Sequence, residues 1–330
     1  MKTLVTGGAG FIGSHVVKHL IESGHDVVVV DDLSGGFLDY VHPRATFIKG
    51  SITDHVFISK LFNDHAFDYV YHLAAYAAEG LSHFIKRFNY NNNLIGSVNL
   101  INESVNHHVK CFVYTSSIAV YGAGQLPMRE DMIPVPEDSY GIAKLAVEQE
   151  LRITHEMFGM DYIIFRPHNV YGENQNLGDR YRNVIGIFMN QLMLSEPLTI
   201  FGDGEQTRAF SYIDDVAPYI ANSIHIPKAL NRVFNIGADQ NYTVNHLADA
   251  VMKAMKIKGE KTFLPSRNEV QHAFSDHDNA RKVFKINDFV SLEDGLHHMA
   301  TWAKKAGTRK SKKFRHIEIE SKLPGHWLAE

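Results

Sequence analysis

Apolar and polar positions follow two different periods along the first half of the chain. Short runs rich in β-branched residues, such as KTLVT at 2–6 and DVVVVDD at 26–32, predict buried strands. The stretch FIGSHVVKHLIES at 11–23 has instead the apolar spacing of a helix. Regular alternation of such segments predicts a parallel sheet with helices on both of its faces.

The same order continues further along the chain. The other predicted strands lie within 45–50, 67–75, 109–117, 161–167, 198–200 and 233–236. The other predicted helices cover 53–64, 83–107, 139–158, 181–194, 214–225, 243–256 and 291–305. The pattern becomes less regular after residue 172, which predicts a second kind of structure in the C-terminal half.

Composition narrows the class of protein. The chain has 330 residues, 45% of them hydrophobic and 21% charged, with a net charge of −4. Such values are typical of a globular protein and give no basic field for nucleic acid. The chain has one cysteine, Cys111, which excludes an intrachain disulfide and favours a reducing, cytoplasmic location. We find no signal peptide and no apolar run long enough to cross a membrane, so we expect no membrane contact.

A glycine-rich turn stands between the first strand and the first helix. VTGGAGFIGSH places Gly7, Gly10 and Gly13 where backbone N–H groups can approach a pyrophosphate at a helix N-terminus. Asp31 follows at the end of the second strand, where a carboxylate binds ribose hydroxyls and repels a 2′-phosphate. The pattern therefore predicts bound NAD rather than NADP, with a glycine turn that binds nothing as the alternative.

A second candidate site lies in DSYGIAKLAVEQE at 138–150. Tyr140 and Lys144 are four residues apart and so share one face of the predicted helix. A phenol beside an ammonium loses its proton more easily, but this spacing is also common by chance. The pair alone does not decide between a catalytic site and an ordinary helix.

Taken together, the motifs resemble an extended short-chain dehydrogenase/reductase of the UDP-galactose 4-epimerase group. The resemblance runs to about residue 306. Its motifs are TGGAGFIGS (6–14), YHLAA (71–75), TSSIAVYG (115–122), YGIAK (140–144), RPHNVYG (166–172) and FGDGEQTRAFSYIDDV (201–216). It implies a doubly wound parallel α/β (Rossmann) sheet with a smaller, discontinuous C-terminal substrate domain. The domains would be 1–172 with 210–240 for NAD, 173–209 with 241–306 for the nucleotide sugar, and a tail at 307–330.

The resemblance also implies catalytic roles. Tyr140 would be the acid/base, and Lys144 would hold the nicotinamide ribose and lower the tyrosine pKa. Ser117, with Ser116 beside it, would bind the reacting sugar hydroxyl. The NAD contacts implied by the resemblance are Gly7, Gly10, Phe11, Ile12, Gly13, Asp31, Asp32, Ile52, Leu73, Ala74, Ala75, Asn93, Tyr140, Lys144 and Pro167.

The positions after Ser117 distinguish between reactions of the family. Related dehydratases carry Asp-Glu there and related decarboxylases a glutamate, whereas this chain has Ile118 and Ala119. Elimination would lack its acid and base. The resemblance therefore favours epimerisation at C4 of a nucleotide sugar, most simply a UDP-sugar, by transient oxidation and re-reduction.

Residues on the substrate side complete the prediction. The resemblance implies that Asn169, Arg208 and Arg267 bind the diphosphate and that Asn183 lies near the nucleotide. Ala273 would line the pocket beside the C2 substituent of the sugar and leave space for an N-acetyl group.

Glu79 is part of the departure YAAEGLSHF at 76–84. It either faces the sugar, which would allow 2-, 3- or 5-epimerisation, or points to water, which we favour. We expect no metal, because His15 and His19 lack a third ligand. We expect a homodimer through the helices near 83–107 and 139–158. A nucleotide-sugar oxidoreductase or dehydratase and a non-catalytic NAD-binding protein stay as alternatives.

Overall fold

The computed structural model describes residues 1–266, 270–310, 314 and 316–328. Within these residues the strands are β1 Lys2–Thr6, β2 Asp26–Asp31, β3 Thr46–Lys49, β4 Tyr69–His72, β5 Cys111–Thr115, β6 Asp161–Pro167, β7 Val170–Tyr171, β8 Leu198–Phe201, β9 Thr207–Ala209, β10 Ser211–Tyr212, β11 Arg232–Ile236, β12 Asn241–Thr243, β13 Lys261–Leu264 and β14 His272–Ala273. The helices are α1 Phe11–Glu22, α2 His55–Asp64, α3 Glu79–Ser82, α4 Lys86–Tyr90, α5 Gly96–Asn106, α6 Ser139–Phe158, α7 Val184–Met193, α8 Ala217–Asn222, α9 Val244–Met255, α10 Asp278–Phe284, α11 Leu292–Ala306 and α12 Gly325–Leu328.

A seven-stranded sheet forms the centre of the molecule. Its strand order is β11-β6-β5-β4-β1-β2-β3, and every pair in it is parallel. Leu4 and Val5, neighbours in β1, are fully buried in two different hydrophobic clusters. Successive side chains of a strand point to opposite faces, so both faces of the sheet are covered. This is the doubly wound parallel sheet that the sequence predicts.

Smaller sheets lie in the C-terminal half. They have the orders β12-β9-β14, β13-β8 and β10-β7. The sequence pattern predicted β8 but not the other short strands, because two to four residues are too few to show a period. It also missed the seven-residue helix α10. One hydrophobic cluster crosses the predicted domain boundaries. It includes Val5 and Val17 of the predicted NAD domain and Leu247 and Met299 of the predicted nucleotide-sugar domain.

The predicted helix at 83–107 is interrupted. A π-helical turn, Asn91–Ile95, joins α4 to α5, and α3 stands apart from both. Helix α6 follows its prediction closely, because Asp138 caps its first turn and Gly159, with φ of 76°, ends it. No helix of the described residues combines the length and the apolar character needed to cross a bilayer.

Candidate active site

A cavity of about 1310 Å³ opens at the carboxyl ends of the parallel strands. In doubly wound folds this edge of the sheet is where ligands bind. Its walls combine the glycine-rich turn, the ends of β2, β4 and β5, the start of α6, and the segments around β8, β9 and β14. A single space therefore contains residues predicted for the cofactor and residues predicted for the substrate.

The glycine-rich turn is packed so closely that only glycine fits. A Cβ on Gly13 would lie 2.1 Å from the carbonyl oxygen of Gly7. Gly7 has φ of 75°, and a Cβ there would lie 2.7 Å from the backbone nitrogen of Ala74. Helix α1 starts directly afterwards at Phe11, so its free N–H groups face the cavity. The turn is a cradle for a pyrophosphate.

Asp31 ends β2 at the edge of the same cavity. Its carboxylate accepts hydrogen bonds from the backbone N–H of Ala9, at 3.1 Å, and of Leu33, at 2.8 Å. Burial raises the pKa of Asp31, and these two hydrogen bonds oppose the rise. The carboxylate is thus fixed beside the glycine turn, where a ribose would lie.

Most of the residues predicted to contact NAD line the cavity. They are Gly7, Gly10, Phe11, Ile12, Gly13, Asp31, Asp32, Ile52, Leu73, Ala74, Ala75, Tyr140, Lys144 and Pro167. Asn93 is the exception. It is buried beneath Tyr76, with its side chain accepting from the Tyr76 N–H at 2.8 Å and donating to the Tyr76 carbonyl at 3.0 Å. Its amide supports the cavity wall, and its neighbour Asn92 lines the cavity instead.

Tyr140 stands in the first turn of α6, against the end of β5. A Cβ on Gly141 would lie 2.5 Å from the carbonyl oxygen of Ala119, so the helix start is in close contact with the short turn that follows β5. The Tyr140 ring is 5% exposed, and it lines the cavity together with Ser117. The structure therefore brings the predicted acid/base and the predicted hydroxyl-binding serine together.

Burial and the charge of Glu79 raise the pKa of Tyr140. A hydrogen bond with Ser117 and the charge of Arg182 act in the opposite direction. The predicted cause of a lowered pKa, the Lys144 ammonium, is not among these influences. Its Nζ lies 5.7 Å from the centre of the Tyr140 ring but donates elsewhere. The net effect of these groups is a raised pKa of Tyr140. The lowering by Lys144, which belongs to the site with NAD bound, stays a prediction.

Lys144 is buried one turn further along α6. Its Nζ donates to the carbonyl oxygen of Thr115 at 2.8 Å and lies 4.7 Å from the centre of the Tyr114 ring. Burial lowers the pKa of Lys144 to about 7, and the charge of Glu148 opposes this shift. Lys144 nevertheless lines the cavity, so its amino group can reach a ligand hydroxyl there.

Ser116 has a structural partner that the sequence did not predict. Its hydroxyl donates to Glu148 at 2.5 Å, and Glu148 also accepts from the Nε of Arg166 at 2.9 Å. Arg166 and Glu148 are both nearly fully buried. Both serines line the cavity, but the hydroxyl of Ser116 is committed to this ion pair.

Residues predicted for the substrate form the opposite wall. Asn169 donates to the carbonyl oxygen of Ala209 at 3.0 Å, and Asn183 precedes α7. The Arg208 guanidinium donates at 2.9 Å to the carbonyl oxygens of Thr207 and Gln271. All three predicted residues line the cavity, while Arg267 lies outside the described residues.

Ala273 stands beside Arg208, because β14 pairs with β9 in a register that matches the two residues. It is 6% exposed and shares a hydrophobic cluster with Ile118 and Met128. All of these residues line the cavity. Ala273 is thus close to the residue that follows Ser117, as its predicted place beside the sugar requires.

Glu79 begins α3 and lines the cavity. The Ser82 hydroxyl donates to the Glu79 carbonyl at 2.6 Å and accepts from the Tyr140 N–H at 3.2 Å, which fixes α3 against α6. The Glu79 side chain is exposed within the cavity, yet its charge acts on Tyr140. Glu79 is thus exposed and near the reacting tyrosine, and both interpretations of its role stay predictions.

A family model for NAD-dependent epimerases and dehydratases matches residues 3–237. The chain belongs to this family. It is 32% identical over 304 residues to the UDP-glucose 4-epimerase of Mycolicibacterium smegmatis, covering 90% of this chain and 96% of that one.

Solved structures of the family are also similar. The UDP-glucose 4-epimerase of Thermotoga maritima, crystallised with UDP-glucose, is 36% identical with a TM-score of 0.88, over 93% of this chain and 99% of that one. The UDP-N-acetylglucosamine 4-epimerase of Methanobrevibacter ruminantium, in complex with UDP-N-acetylmuramic acid, is 30% identical with a TM-score of 0.86, over 93% and 99%. Like the family, this chain uses NAD as its cofactor.

Sequence reasoning missed Arg182 in this epimerase/dehydratase site. Its guanidinium stacks 4.9 Å from the centre of the Tyr76 ring and donates from Nε to Asp179 at 2.6 Å. It lines the cavity, and its charge lowers the pKa of Tyr140. The available signal was the arginine directly before Asn183, in a segment already assigned to the substrate.

The C-terminal segment was also missed as part of the site. Trp327 is buried there against Leu81 and Ile85. Ser321, Lys322 and Trp327 line the cavity. No motif in this segment predicts that position.

Proposed function

We propose that this protein is an NAD-dependent nucleotide-sugar 4-epimerase that acts on UDP-sugars. The observation that carries the proposal is the convergence of Ser117, Tyr140 and Lys144 on one cavity that also contains the glycine cradle and Arg208. The cradle and Asp31 suit NAD, and Asn169 and Arg208 suit a diphosphate. Hydroxyl, phenol and ammonium groups then stand between the two ligands, where a sugar would be oxidised.

The chain's residues have distinct tasks in this reaction. When bound, NAD supplies a reversible hydride acceptor beside Tyr140. Ser117 binds the C4 hydroxyl of the sugar, and the Tyr140 oxygen takes its proton and later returns it. Lys144 holds the nicotinamide ribose, and its charge together with that of Arg182 favours the phenolate. The sugar is re-reduced on its other face, so no second redox substrate is required.

Ile118 and Ala119 support epimerisation over elimination. Both line the cavity directly after Ser117, and neither carries a proton donor or acceptor in its side chain. Removal of water from the sugar needs an acid and a base at the neighbouring carbons. Return of the hydride to C4 is therefore the simplest outcome.

The range of sugars follows from Ala273. Its short side chain leaves space that a C2 acetamido group can fill, and apolar pockets discriminate weakly against a smaller ligand. The relative from Methanobrevibacter ruminantium is named for an N-acetylated substrate. We therefore propose that plain and N-acetylated UDP-hexoses both react.

The experiment is product analysis by NMR. Purified protein is incubated with UDP-glucose, UDP-galactose and their N-acetylated forms in D₂O, with GDP- and CDP-sugars as controls. Inversion at C4 without deuterium in the sugar supports the proposal. Deuterium at C3 or C5 would instead assign Glu79 as a base and a different epimerisation centre. No conversion of any sugar would contradict the proposal.

The choice of NAD over NADP, which we base on Asp31, has a separate test. The protein is denatured and the released nucleotide is separated by chromatography. Predominance of NAD supports the role of the carboxylate, and predominance of NADP contradicts it.

We also propose a homodimer formed through α5 and α6. Ile142, Ile153 and Met157 lie on one outward face of α6 and are 45%, 41% and 74% exposed. Ile95, just before α5, is 47% exposed. A second copy would cover this apolar face. Light scattering after gel filtration should give twice the chain mass for wild type and the monomer mass for Ile153→Glu.

The cellular location we propose is the cytoplasm. Cys111 is buried and free, as suits a reducing compartment. Fractionation of cells followed by immunodetection tests this location.

A further inference from the structure

The C-terminal tail, defined here as residues 314 and 316–328, is fixed to the segment between α3 and α4. The Glu318 carboxylate accepts hydrogen bonds from the backbone N–H groups of Arg87, at 2.8 Å, and Phe88, at 2.9 Å. The carbonyl oxygen of Phe84 accepts from Glu318 at 2.8 Å and from Ile319 at 3.1 Å. The tail is therefore docked in a defined position on the segment that departs from the family pattern.

Trp327 is the main apolar contact of the tail. It is 6% exposed and packs edge-on against Tyr181 and Phe84, with ring centres 5.4 and 6.0 Å apart. Its indole also comes within 3.4 Å of the position that a Cβ would take on Gly80. One side chain thus touches both α3 and the segment before α7.

Two of these contacts are next to a charged residue of the cavity. Gly80 follows Glu79, and Tyr181 precedes Arg182. Glu79 and Arg182 both act on Tyr140, with opposite effects. Trp327 also lines the cavity itself. The indole therefore fixes the two segments that place opposite charges beside Tyr140.

We infer that Trp327 is a positioning residue of the sugar site, which sets the placement of Glu79 and Arg182 around the sugar of the bound nucleotide sugar. This inference rests on the proposed function for its substrate class. A change in this placement should alter both sugar binding and the ionisation of Tyr140. The charged and titratable groups that face Tyr140 are Glu79, Tyr114, Asp138, Lys144 and Arg182.

Kinetics of three variants test the inference. Trp327→Ala should raise KM for UDP-glucose about 10-fold or more and shift the pH profile of kcat, because small displacements at a reacting centre are costly. Trp327→Phe should restore most of the wild-type KM and most of the wild-type pH profile of kcat. Trp302→Ala is the control, since Trp302 packs partly buried on α11 against the main cluster. A wild-type KM and pH profile in Trp327→Ala, or the same changes in Trp302→Ala, would overturn the inference.

A binding measurement separates this inference from the proposed activity. The chain has two tryptophans, so Trp302→Phe leaves Trp327 as the sole indole fluorophore. UDP-glucose should change its emission, and UDP alone should change it much less. Equal responses to both ligands, or no response, would contradict the inference. If the wild type turned over no sugar while UDP-glucose still changed the emission, the proposed function would fail and the inference would stand.

Discussion

The Lys144 ammonium donates a 2.8 Å hydrogen bond to the carbonyl oxygen of Thr115. This contact ties α6 to the end of β5 and holds a cation in a buried position. A buried charge with few partners costs folding free energy, but it binds a ligand strongly because little water has to be removed. Stability and function are therefore opposed at this residue.

Lys144→Met should stabilise the cofactor-free protein below about pH 7 while abolishing turnover. Burial lowers the folded pKa of Lys144 to about 7 from its ordinary 10.5. Between these two pKa values the unfolded chain binds more protons than the folded chain. This residue therefore makes the free energy of unfolding of the wild type rise as the pH rises from the lower value to the higher one. Urea denaturation at about pH 6, 7.5 and 9 measures the rise, which should be smaller in the variant. Exposed Lys18→Met is the control, and parallel curves for wild type and Lys144→Met would disprove the assignment.

Tyr140→Phe should reduce turnover at least about 100-fold, the usual scale for an acid/base group. The ring still packs, so bound NAD and the affinity for UDP-glucose should change little. Chromatography of the nucleotide released on denaturation measures the bound NAD. Calorimetric titration measures the affinity for UDP-glucose. Tyr219→Phe, on α8, is the matched control. A rate near that of wild type in Tyr140→Phe would remove the tyrosine from the mechanism.

Ala273→Tyr should remove activity on N-acetylated UDP-hexoses and retain activity on UDP-glucose and UDP-galactose. The phenol would fill the space beside the C2 substituent, where Ala273 is 6% exposed. The ratio of kcat/KM for the two substrate classes measures the effect, with Ala273→Ser as a control of nearly unchanged size. Equal losses on both classes would show that Ala273 is not beside C2.

The free energy of unfolding should fall as the pH drops below about 6.5, because buried neutral histidines oppose protonation. Burial lowers the pKa of His72 to about 3 and that of His25 to about 4. The unfolded chain binds these protons first, so stability is lost as the pH falls from 6.5 towards these values. Chemical denaturation of His72→Gln should show a smaller acid loss than exposed His55→Gln. If the two variants lost the same free energy of unfolding at acid pH, His72 would be excluded as a source of that loss.

Sequence reasoning was strongest where a residue's backbone role and chemical role coincide. Gly7 and Gly13 were predicted because the turn between strand and helix requires glycine. The role of Tyr140 came from the family resemblance, since its spacing from Lys144 alone did not decide. The central sheet was predicted for the same reason, since buried parallel strands form continuous apolar runs.

Sequence reasoning was weakest where a side chain's partner comes from a distant segment. Asn93 is hydrogen-bonded to Tyr76 and Ser116 to Glu148, and Arg182 stacks on Tyr76. None of these pairings leaves a period or a motif in the sequence. The raising of the Tyr140 pKa was missed for a related reason, because burial and the charge of Glu79 depend on how α3 packs against α6.

The hydrophobic cluster shared by Val17 on α1 and Leu247 on α9 has a consequence for cooperativity. With one continuous core on both sides of the predicted boundary, heat should melt the molecule in a single calorimetric transition. A ligand that binds only the native state raises the free energy of every opening that exposes this core. NAD held at the glycine turn should therefore slow amide hydrogen exchange in α9, which lies outside the segment predicted to bind it.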